Sequence, residues 1–118
     1  MPYVLWSAGG REYRLRLTAK ATVDLEKKLG RNPVSPFLEL EGGRLPTLTD
    51  MAAILHAALQ PLEHGITEAA AYEIMDRYFE DGNSLYDLAP VMTEVFRVSG
   101  LIPSDGGPGR EANGGKNG

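Results

Sequence analysis

Hydrophobic and polar residues alternate near the N-terminus in the manner of a β-hairpin. In Glu12–Leu17 every second side chain is apolar, and a period of two is typical of a half-buried strand. The apolar-rich segment Tyr3–Ser7 precedes it, and the turn between them contains Gly9 and Gly10, which can take the positive φ of a tight hairpin. Because two strands alone are marginal in water, the apolar face of this hairpin must pack on helices.

The rest of the chain, up to residue 102, follows the helical period. Apolar side chains recur three and four positions apart, and a serine or threonine precedes each segment as a candidate N-cap. The predicted helices are Ala19–Leu29 after Thr18, Pro36–Leu40 after Ser35, a helix that begins after Thr49, Glu68–Glu80 after Thr67, and Leu85–Ser99 after Ser84. This pattern predicts an α+β, mostly α, fold in which an N-terminal β-hairpin packs on a bundle of about four to five helices.

Two prolines interrupt the helical patterns. Pro61 lies inside the apolar stripe of the third predicted helix, where a proline removes a backbone N–H and clashes with the preceding turn. We therefore expect either a kink near Ala57 or a helix end just before Pro61. Pro90 falls in the second turn of the last helix, which leaves two starts open for that helix, Leu85 or Ala89.

The last two predicted helices carry the widest apolar faces. Glu68–Glu80 has two adjacent apolar stripes, which indicates a helix packed on two sides. The predicted core face of the last helix consists of Leu88, Val91, Met92, Val95 and Phe96. We expect Trp6 to lie in the hairpin core, where its indole N–H needs a hydrogen-bond partner. After Gly100 we expect Leu101 and Ile102 to fold back onto the core.

The composition changes at the C-terminal end of the chain. Residues 103–118 include six glycines and two prolines, and their only apolar side chain besides proline is Ala112. Such a segment cannot repay the entropy cost of ordering itself. The sequence therefore predicts one globular domain over residues 1–102 and a disordered tail or linker over residues 103–118.

Charge and composition argue against several classes of function. The net charge is −4, so the chain lacks the electrostatic footprint of a nucleic-acid-binding domain. It contains no cysteine, which removes disulfides, thiolate nucleophiles and cysteine metal sites. The N-terminus does not have the form of a signal peptide, and no stretch approaches the roughly 18 apolar residues of a membrane-spanning helix.

Three groups of residues are candidates for a metal, calcium or phosphate site, and each lacks part of the pattern that such a site needs. They are the pair His56 and His64, the acidic group Asp76, Glu80 and Asp81, and the glycine pairs Gly9-Gly10 and Gly42-Gly43. The histidines are eight positions apart, whereas metal-binding pairs on helices are three or four apart. The acidic group lacks the regular oxygens of a calcium loop, and the glycine pairs lack the Gly-Lys-Ser/Thr of a phosphate loop. We expect no catalytic, cofactor or metal site.

The stretch Gly10–Pro33, GREYRLRLTAKATVDLEKKLGRNP, resembles the N-terminal signature of tail assembly chaperones of long-tailed bacteriophages and related gene-transfer particles. That signature is a hairpin with the pattern G-x-x-Y-x-L-x-L, followed by a helix with L-E-x-x-L-G. The matching residues are Gly10, Tyr13, Leu15, Leu17, Leu25, Glu26, Leu29 and Gly30. The later layout is also similar to that family, so the resemblance extends over roughly Tyr3 to Ile102.

The resemblance implies a protein that is not an enzyme and needs no cofactor. Members of that family bind the long, apolar tape-measure protein in the cytoplasm of the host cell, keep it soluble and recruit tail-tube subunits. We expect the client to contact aromatic residues of the last two helices, namely Tyr72, Tyr78, Phe79, Tyr86 and Phe96. Neither nucleic acid nor a membrane is an expected partner, and the sequence leaves the oligomeric state open, including a homo-oligomer.

The resemblance also gives the C-terminal residues a second interpretation. Many family members exist in two lengths, because the ribosome slips at a site of the form X XXY YYZ near the end of the short form. Gly114-Gly115-Lys116 can be encoded as GGG GGA AAR, which permits such a site; the alternative is an ordinary disordered terminus. The longer product would carry the contact with the tail tube.

Two functions from other classes stay open. One is a small structural tail or head–tail connector protein, which would form rings and remain in the finished particle. The other is a small helical DNA-binding regulator. A regulator needs a basic recognition helix, whereas the last helix carries Asp87, Glu94 and, as its one basic residue, Arg97.

Overall fold

The structure is a computed structural model that describes residues 2–38 and 45–103. Its elements are strands β1 (Val4–Ala8) and β2 (Arg11–Leu15) and helices α1 (Ala19–Leu29), α2 (Ser35–Leu38), α3 (Leu48–Leu59), α4 (Glu68–Glu80) and α5 (Leu85–Val98). The predicted α+β, mostly helical class, with an N-terminal hairpin packed on helices, is confirmed. The predicted tail lies outside the described residues except for Pro103.

The hairpin forms around the glycine pair predicted to make its turn. The strands pair antiparallel with Trp6 opposite Tyr13 and Ala8 opposite Arg11. Gly9 and Gly10 both have positive φ, 61° and 80°, as a two-residue type I′ turn requires. The strands differ from the predicted ones at their ends, since β1 begins one residue after Tyr3 and β2 ends two residues before Leu17.

Helix α3 is the centre of the core. It packs against α1, α4, α5 and β2, and eight of its twelve residues are buried. Helix α4 contacts both α3 and β1, so the prediction that this helix packs on two sides is confirmed. After α5, Leu101 donates its N–H to the carbonyl of Phe96 at 2.9 Å, and Leu101 and Ile102 pack on the core as predicted.

Most of the predicted helix caps are confirmed, and two are wrong. Thr18, Thr67 and Ser84 cap their helices as predicted. Helix α3, however, is capped by Thr47 and not by Thr49. With this start, the third residue of the helix is Asp50, whose buried carboxylate pairs with Arg31 and suits the positive end of the helix dipole.

The second wrong cap belongs to helix α2, which was predicted over Pro36–Leu40 with Ser35 as its cap. Ser35 is instead the first residue of the helix, which runs to Leu38. The turn before it is held by the Asn32 side chain, whose Oδ1 accepts the N–H of Val34 at 2.9 Å. Residues 39–44, which include the predicted end of this helix and the pair Gly42-Gly43, lie outside the described residues.

The two prolines act differently on their helices. Helix α3 ends at Leu59, which confirms the predicted stop before Pro61. Pro90, in contrast, lies inside α5, which begins at Leu85, so the alternative start at Ala89 is wrong. Proline at this position removes one early helical hydrogen bond, while a capping box between Ser84 and Asp87 holds the first turn together.

Candidate partner-binding surface

The inner face of the hairpin is fixed to the helices by aromatic rings. Trp6 is buried, with its ring centroid 5.0 Å from that of Tyr78 on α4 and 6.1 Å from that of Tyr13 on β2. Burial raises the pKa of Tyr78 above its ordinary value of 10.0, partly opposed by the neighbouring Trp6 indole and reinforced by the charge of Asp87. The Trp6 indole lies beside Tyr78, but among the described residues its N–H has no partner that meets hydrogen-bond geometry.

The hairpin turn is clamped to the end of α4. Asp81 Oδ2 accepts the backbone N–H of Gly9 at 2.8 Å. The Arg77 side chain packs so closely on this turn that a Cβ on Gly9 would lie 2.7 Å from Arg77 Cδ. Asp81, one of the three acidic residues considered as a site, therefore holds the turn in place.

The outer edge of β2 is closed by the end of α3 and by the connection between α3 and α4. Glu63 Oε2 accepts the backbone N–H of Arg14 at 2.9 Å, and Arg14 Nη2 donates to the carbonyl of Leu62 at 2.8 Å. The next outward N–H, that of Arg16, donates to the carbonyl of Ala58 at 3.0 Å. We call this backbone of Arg14 and Arg16, with its partners, the closed edge.

The negative charge of Glu63 is stabilised by the residues of the closed edge. Its side chain is largely buried, 12% exposed, and Arg11 Nη2 lies 3.8 Å from Oε1. Burial alone would raise the pKa of Glu63, but the Arg14 backbone N–H, the Arg14 guanidinium and the charge of Arg11 together lower it below 4.5. The carboxylate is therefore held in its charged form where it accepts the backbone N–H.

The outer edge of β1 has no such cover. Leu5 lies directly opposite Arg14, and opposed residues of an antiparallel pair orient their backbone groups alike. Since the N–H of Arg14 points away from β1 to Glu63, the N–H and C=O of Leu5 point away from β2, and those of Ser7 follow by alternation. No residue in the described part of the chain bonds to the N–H of Leu5 or Ser7. We call this outward backbone the open edge.

The side chains along the open edge are uncharged and exposed. Residues 3–8 carry no charged side chain, whereas β2 carries Arg11, Glu12 and Arg14. Leu5 is 56% exposed and Tyr3 46% exposed. Protein edge strands are usually blocked by charge, proline or a bulge, and β1 has none of these between Tyr3 and Ala8.

The structure separates the five aromatic residues predicted to contact a client. Tyr72 on α4 and Tyr86 on α5 are 45% and 71% exposed, so both can be reached by a partner. Phe79 is half-buried against Tyr78, with ring centroids 6.0 Å apart. Tyr78 and Phe96 are core residues, and Phe96 packs edge-on against Phe37. These two do not belong to the exposed surface, because the widest apolar faces of both helices are used within the fold.

Sequence interpretation missed the open edge. The alternation of apolar and polar residues predicts the hairpin and the exposure of the Leu5 side chain. It does not show which of the two strands has its outward backbone groups covered by the rest of the fold. The available signal is charge, since residues 3–8 are uncharged and the second strand is highly charged. Charged side chains are one of the devices that protect native edge strands, and residues 3–8 lack them.

A cleft of about 370 Å³ lies at the N-terminus of α3. Its lining residues are Arg31, Asn32, Ser35, Pro36, Leu45, Pro46, Thr47 and Asp50. The buried Asp50 carboxylate is already paired with Arg31. This ion pair ties the end of α1 to the start of α3, and the carboxylate occupies the position where the helix would favour an anion.

A second cleft, of about 270 Å³, lies between α1 and α3. Its lining residues are Ala21, Asp24, Leu25, Lys28, Ala53, His56, Ala57 and Gln60. The polar groups on its rim bond within the fold: His56 and Gln60 both donate to the carbonyl of Ile66, at 3.1 and 2.7 Å, and Lys28 pairs with Glu68. The hydrogen bond and charge of Lys28 lower the pKa of Glu68. These groups hold the start of α4 against α1 and α3.

The two histidines are far from forming a common site. His56 is half-buried and bonded to Ile66, while His64 is exposed in the connection before α4. Within residues 2–38 and 45–103, no three histidine, aspartate or glutamate side chains lie close enough together to hold a metal ion. In the same range, no helix has both the length and the apolar character needed to span a bilayer.

Fold and surface together define a small, mainly helical α+β protein with an exposed hairpin edge and scattered exposed aromatic side chains. The chain belongs to the family of unknown function DUF6096, which it matches over residues 6–110. This match includes the hairpin from Trp6 onward and all five helices described above. No curated protein and no solved structure matches the chain significantly.

Proposed function

We propose that this protein is a tail assembly chaperone of a long-tailed phage or a related particle, which binds the tape-measure protein and helps to recruit tail-tube subunits. The observation that carries the proposal is the resemblance of Gly10–Gly30 to the signature of tail assembly chaperones. In the structure, these signature residues occupy defined positions. Gly10 turns the hairpin, Tyr13 and Leu15 point into the core, and Gly30 ends α1 with φ of 72°.

The exposed aromatic residues support a role in binding another protein. Tyr72 and Tyr86 each present a large ring to solvent, and exposed tyrosines are frequent anchors in protein interfaces. Helical segments of an apolar client can bind through such rings. The net charge of −4 helps to keep a complex with an aggregation-prone client in solution.

The test is co-expression with the tape-measure protein encoded nearby. We expect the soluble fraction of that protein to rise with this chain, and the two to co-purify. The double variant Tyr72→Ser/Tyr86→Ser should weaken the complex by about tenfold or more. Val23→Ser, which changes an apolar residue of α1 that is 45% exposed, is the matched control and should leave the complex intact. A client whose solubility is indifferent to this chain contradicts the proposal.

Two further measurements separate this proposal from its alternatives. Mass spectrometry of purified particles should not detect the chain, whereas a head–tail connector would be present. The codons of Gly114-Gly115-Lys116, which lie outside the described residues, test the longer form. If they are neither GGG GGA AAA nor GGG GGA AAG, slippage at this site is excluded.

A further inference from the structure

We infer that the open edge of β1 binds the same edge of a second copy of this chain, so that two hairpins join into one four-stranded antiparallel sheet about a two-fold axis at Leu5. This inference is independent of the proposed function. It is carried by the outward direction of the backbone groups of β1, by the register centred on Leu5 that pairs these groups with a second copy, and by the absence of charged side chains in residues 3–8.

One register pairs the outward backbone groups of Tyr3, Leu5 and Ser7 all at once with those of a second copy. Leu5 and Ser7 direct their N–H and C=O groups outward. The observed register ends with Val4 opposite Leu15, and its continuation by one pair places Tyr3 opposite Arg16 with its backbone groups also outward. Centring the two-fold axis on Leu5 places Leu5 opposite the partner's Leu5, and Tyr3 opposite the partner's Ser7. Every outward N–H of these three residues then meets an outward C=O, in the pattern of an antiparallel ladder.

The side chains agree with the same register. On the outer face the large Tyr3 would lie beside the small Ser7 of the other copy, and the two Leu5 side chains would meet at the axis. Directly opposed side chains in an antiparallel pair interact, and Leu5 is now 56% exposed. The pairing therefore removes the apolar surface of Leu5 from water, and it places each Tyr3 opposite a small residue.

Charge favours β1 and not β2 as the self-pairing strand. Residues 3–8 contain no charged side chain, so no like charges oppose each other when the strand meets its copy. On the other strand, Arg14 and Arg16 already give their N–H groups to Glu63 and Ala58. Of the two edges of the hairpin, only that of β1 has free backbone groups among the described residues for pairing with a second copy.

The size of the surface sets the strength of the expected dimer. Pairing of two five-residue strands with a few side chains buries less than the roughly 1,200 Å² of a stable standard interface. We therefore expect reversible, concentration-dependent association, with a dissociation constant of about 10 μM to about 1 mM. Sedimentation equilibrium over about 5 μM to about 2 mM covers that range. A chain that stays monomeric throughout overturns the inference.

Charge variants at position 5 test the register. Leu5→Glu and Leu5→Lys each place like charges at the axis, and each should raise the dissociation constant by about tenfold or more. An equimolar mixture of the two variants should associate again, because a carboxylate of one copy would then face an ammonium group of the other. Val23→Glu, a similar change at an exposed site on α1, should leave association unchanged. Association that survives Leu5→Glu, or a mixture that stays monomeric, overturns the inference.

Amide exchange provides a readout that does not depend on a substitution. The N–H groups of Leu5 and Ser7 should exchange rapidly in dilute solution and slow down as the concentration rises. The N–H of Trp6, which bonds to β2 in every copy, is the internal control. Concentration-independent exchange at Leu5 and Ser7 contradicts the pairing. A different outcome is that the unsubstituted protein is monomeric and that Leu5→Glu reduces the amount of tape-measure protein that co-purifies with it. In that case the open edge binds the client, and the inferred self-pairing is wrong.

Discussion

The two edges of the hairpin differ in what bonds to their outward backbone groups. Along β2 and just after it, the N–H groups of Arg14 and Arg16 bond to Glu63 and Ala58, which come from the connection after α3 and from the end of α3. On β1, the equivalent groups of Leu5 and Ser7 have no partner in the part of the chain that the structure describes. Of these two strands of equal length, β1 can therefore pair with a further strand, whereas the outward N–H groups along β2 are already bonded.

The difference shows that edge protection is a property of the surroundings as well as of the strand. The closed edge carries charged side chains that form ion pairs, since Arg11 and Arg14 both pair with Glu63 and hold it in place. The residues of the open edge are uncharged, so no like charges oppose each other when another strand pairs with this edge. Substitutions that act on one edge alone therefore test the comparison most directly.

The largest expected effect comes from the anchor that both edges share. Trp6→Ala removes the buried ring that joins β1 to Tyr13 and Tyr78, and should lower the free energy of unfolding by about 3–5 kcal/mol. Trp6→Phe keeps an aromatic ring and should cost distinctly less. Urea unfolding followed by circular dichroism measures both. Equal losses for the two variants would contradict the proposed packing role of the ring.

A matched pair of proline substitutions compares the two edges at the backbone. Arg14→Pro removes the N–H that bonds to Glu63 and the guanidinium contacts around it, so we expect a loss of about 3 kcal/mol or more in the free energy of unfolding. Ser7→Pro removes an N–H that bonds to nothing within the hairpin, and should change stability by less than about 1 kcal/mol. Both are measured by urea unfolding in dilute solution. Similar losses at both sites would mean that β1 is also covered.

Removal of the Glu63 carboxylate should open the closed edge at a smaller cost. Glu63→Ala leaves the N–H of Arg14 without its acceptor, and we expect a loss of about 1–3 kcal/mol in the free energy of unfolding. Glu63→Gln retains an acceptor oxygen and should retain part of the stability. Faster amide exchange at Arg14 in the alanine variant would locate the loss at this edge, and unchanged exchange there would refute it.

The smallest expected effect is the dependence of the closed edge on pH. The pKa of Glu63 is lower in the folded protein than its ordinary value of 4.5, so the folded state binds this proton less readily than the unfolded state. The stability that Glu63 contributes is present above pH 4.5 and is lost as the pH falls through the folded pKa. Unfolding from about pH 7 to about pH 3 measures this loss. A wild-type profile parallel to that of Glu63→Gln would contradict it.

Local signals predicted most of the secondary structure, and they were insufficient where two choices were equivalent by pattern alone. Thr47 and Thr49 are both good caps, and the pairing of Asp50 with Arg31 accompanies the start after Thr47. Likewise, a capping box between Ser84 and Asp87 supports the helix start ahead of Pro90. The choice between Thr47 and Thr49 depended on a contact outside the helix. The choice between the two starts of the last helix depended on whether the capping box stabilises the first turn more than Pro90 destabilises it.

The candidate surface was less predictable than the fold. Apolar periodicity correctly placed Phe96 on a core face, yet the same residue was also expected to meet a client. Its exposure is 0% and that of Tyr86 is 71%, although both lie on α5. Which aromatic side chains remain outside depends on how much of each face α3 and the hairpin cover, and a helical pattern does not contain that information.

The sequence by itself determined the elements of this protein: a hairpin turned by Gly9 and Gly10, helices bounded by threonine, serine and glycine, and an apolar stripe on each helix. These features follow from interactions among residues a few positions apart. Only the tertiary structure decided which hairpin edge is closed. The hydrogen bond that closes it joins Arg14 to Glu63, which are 49 positions apart, and contacts over such distances depend on how the helices pack around the core.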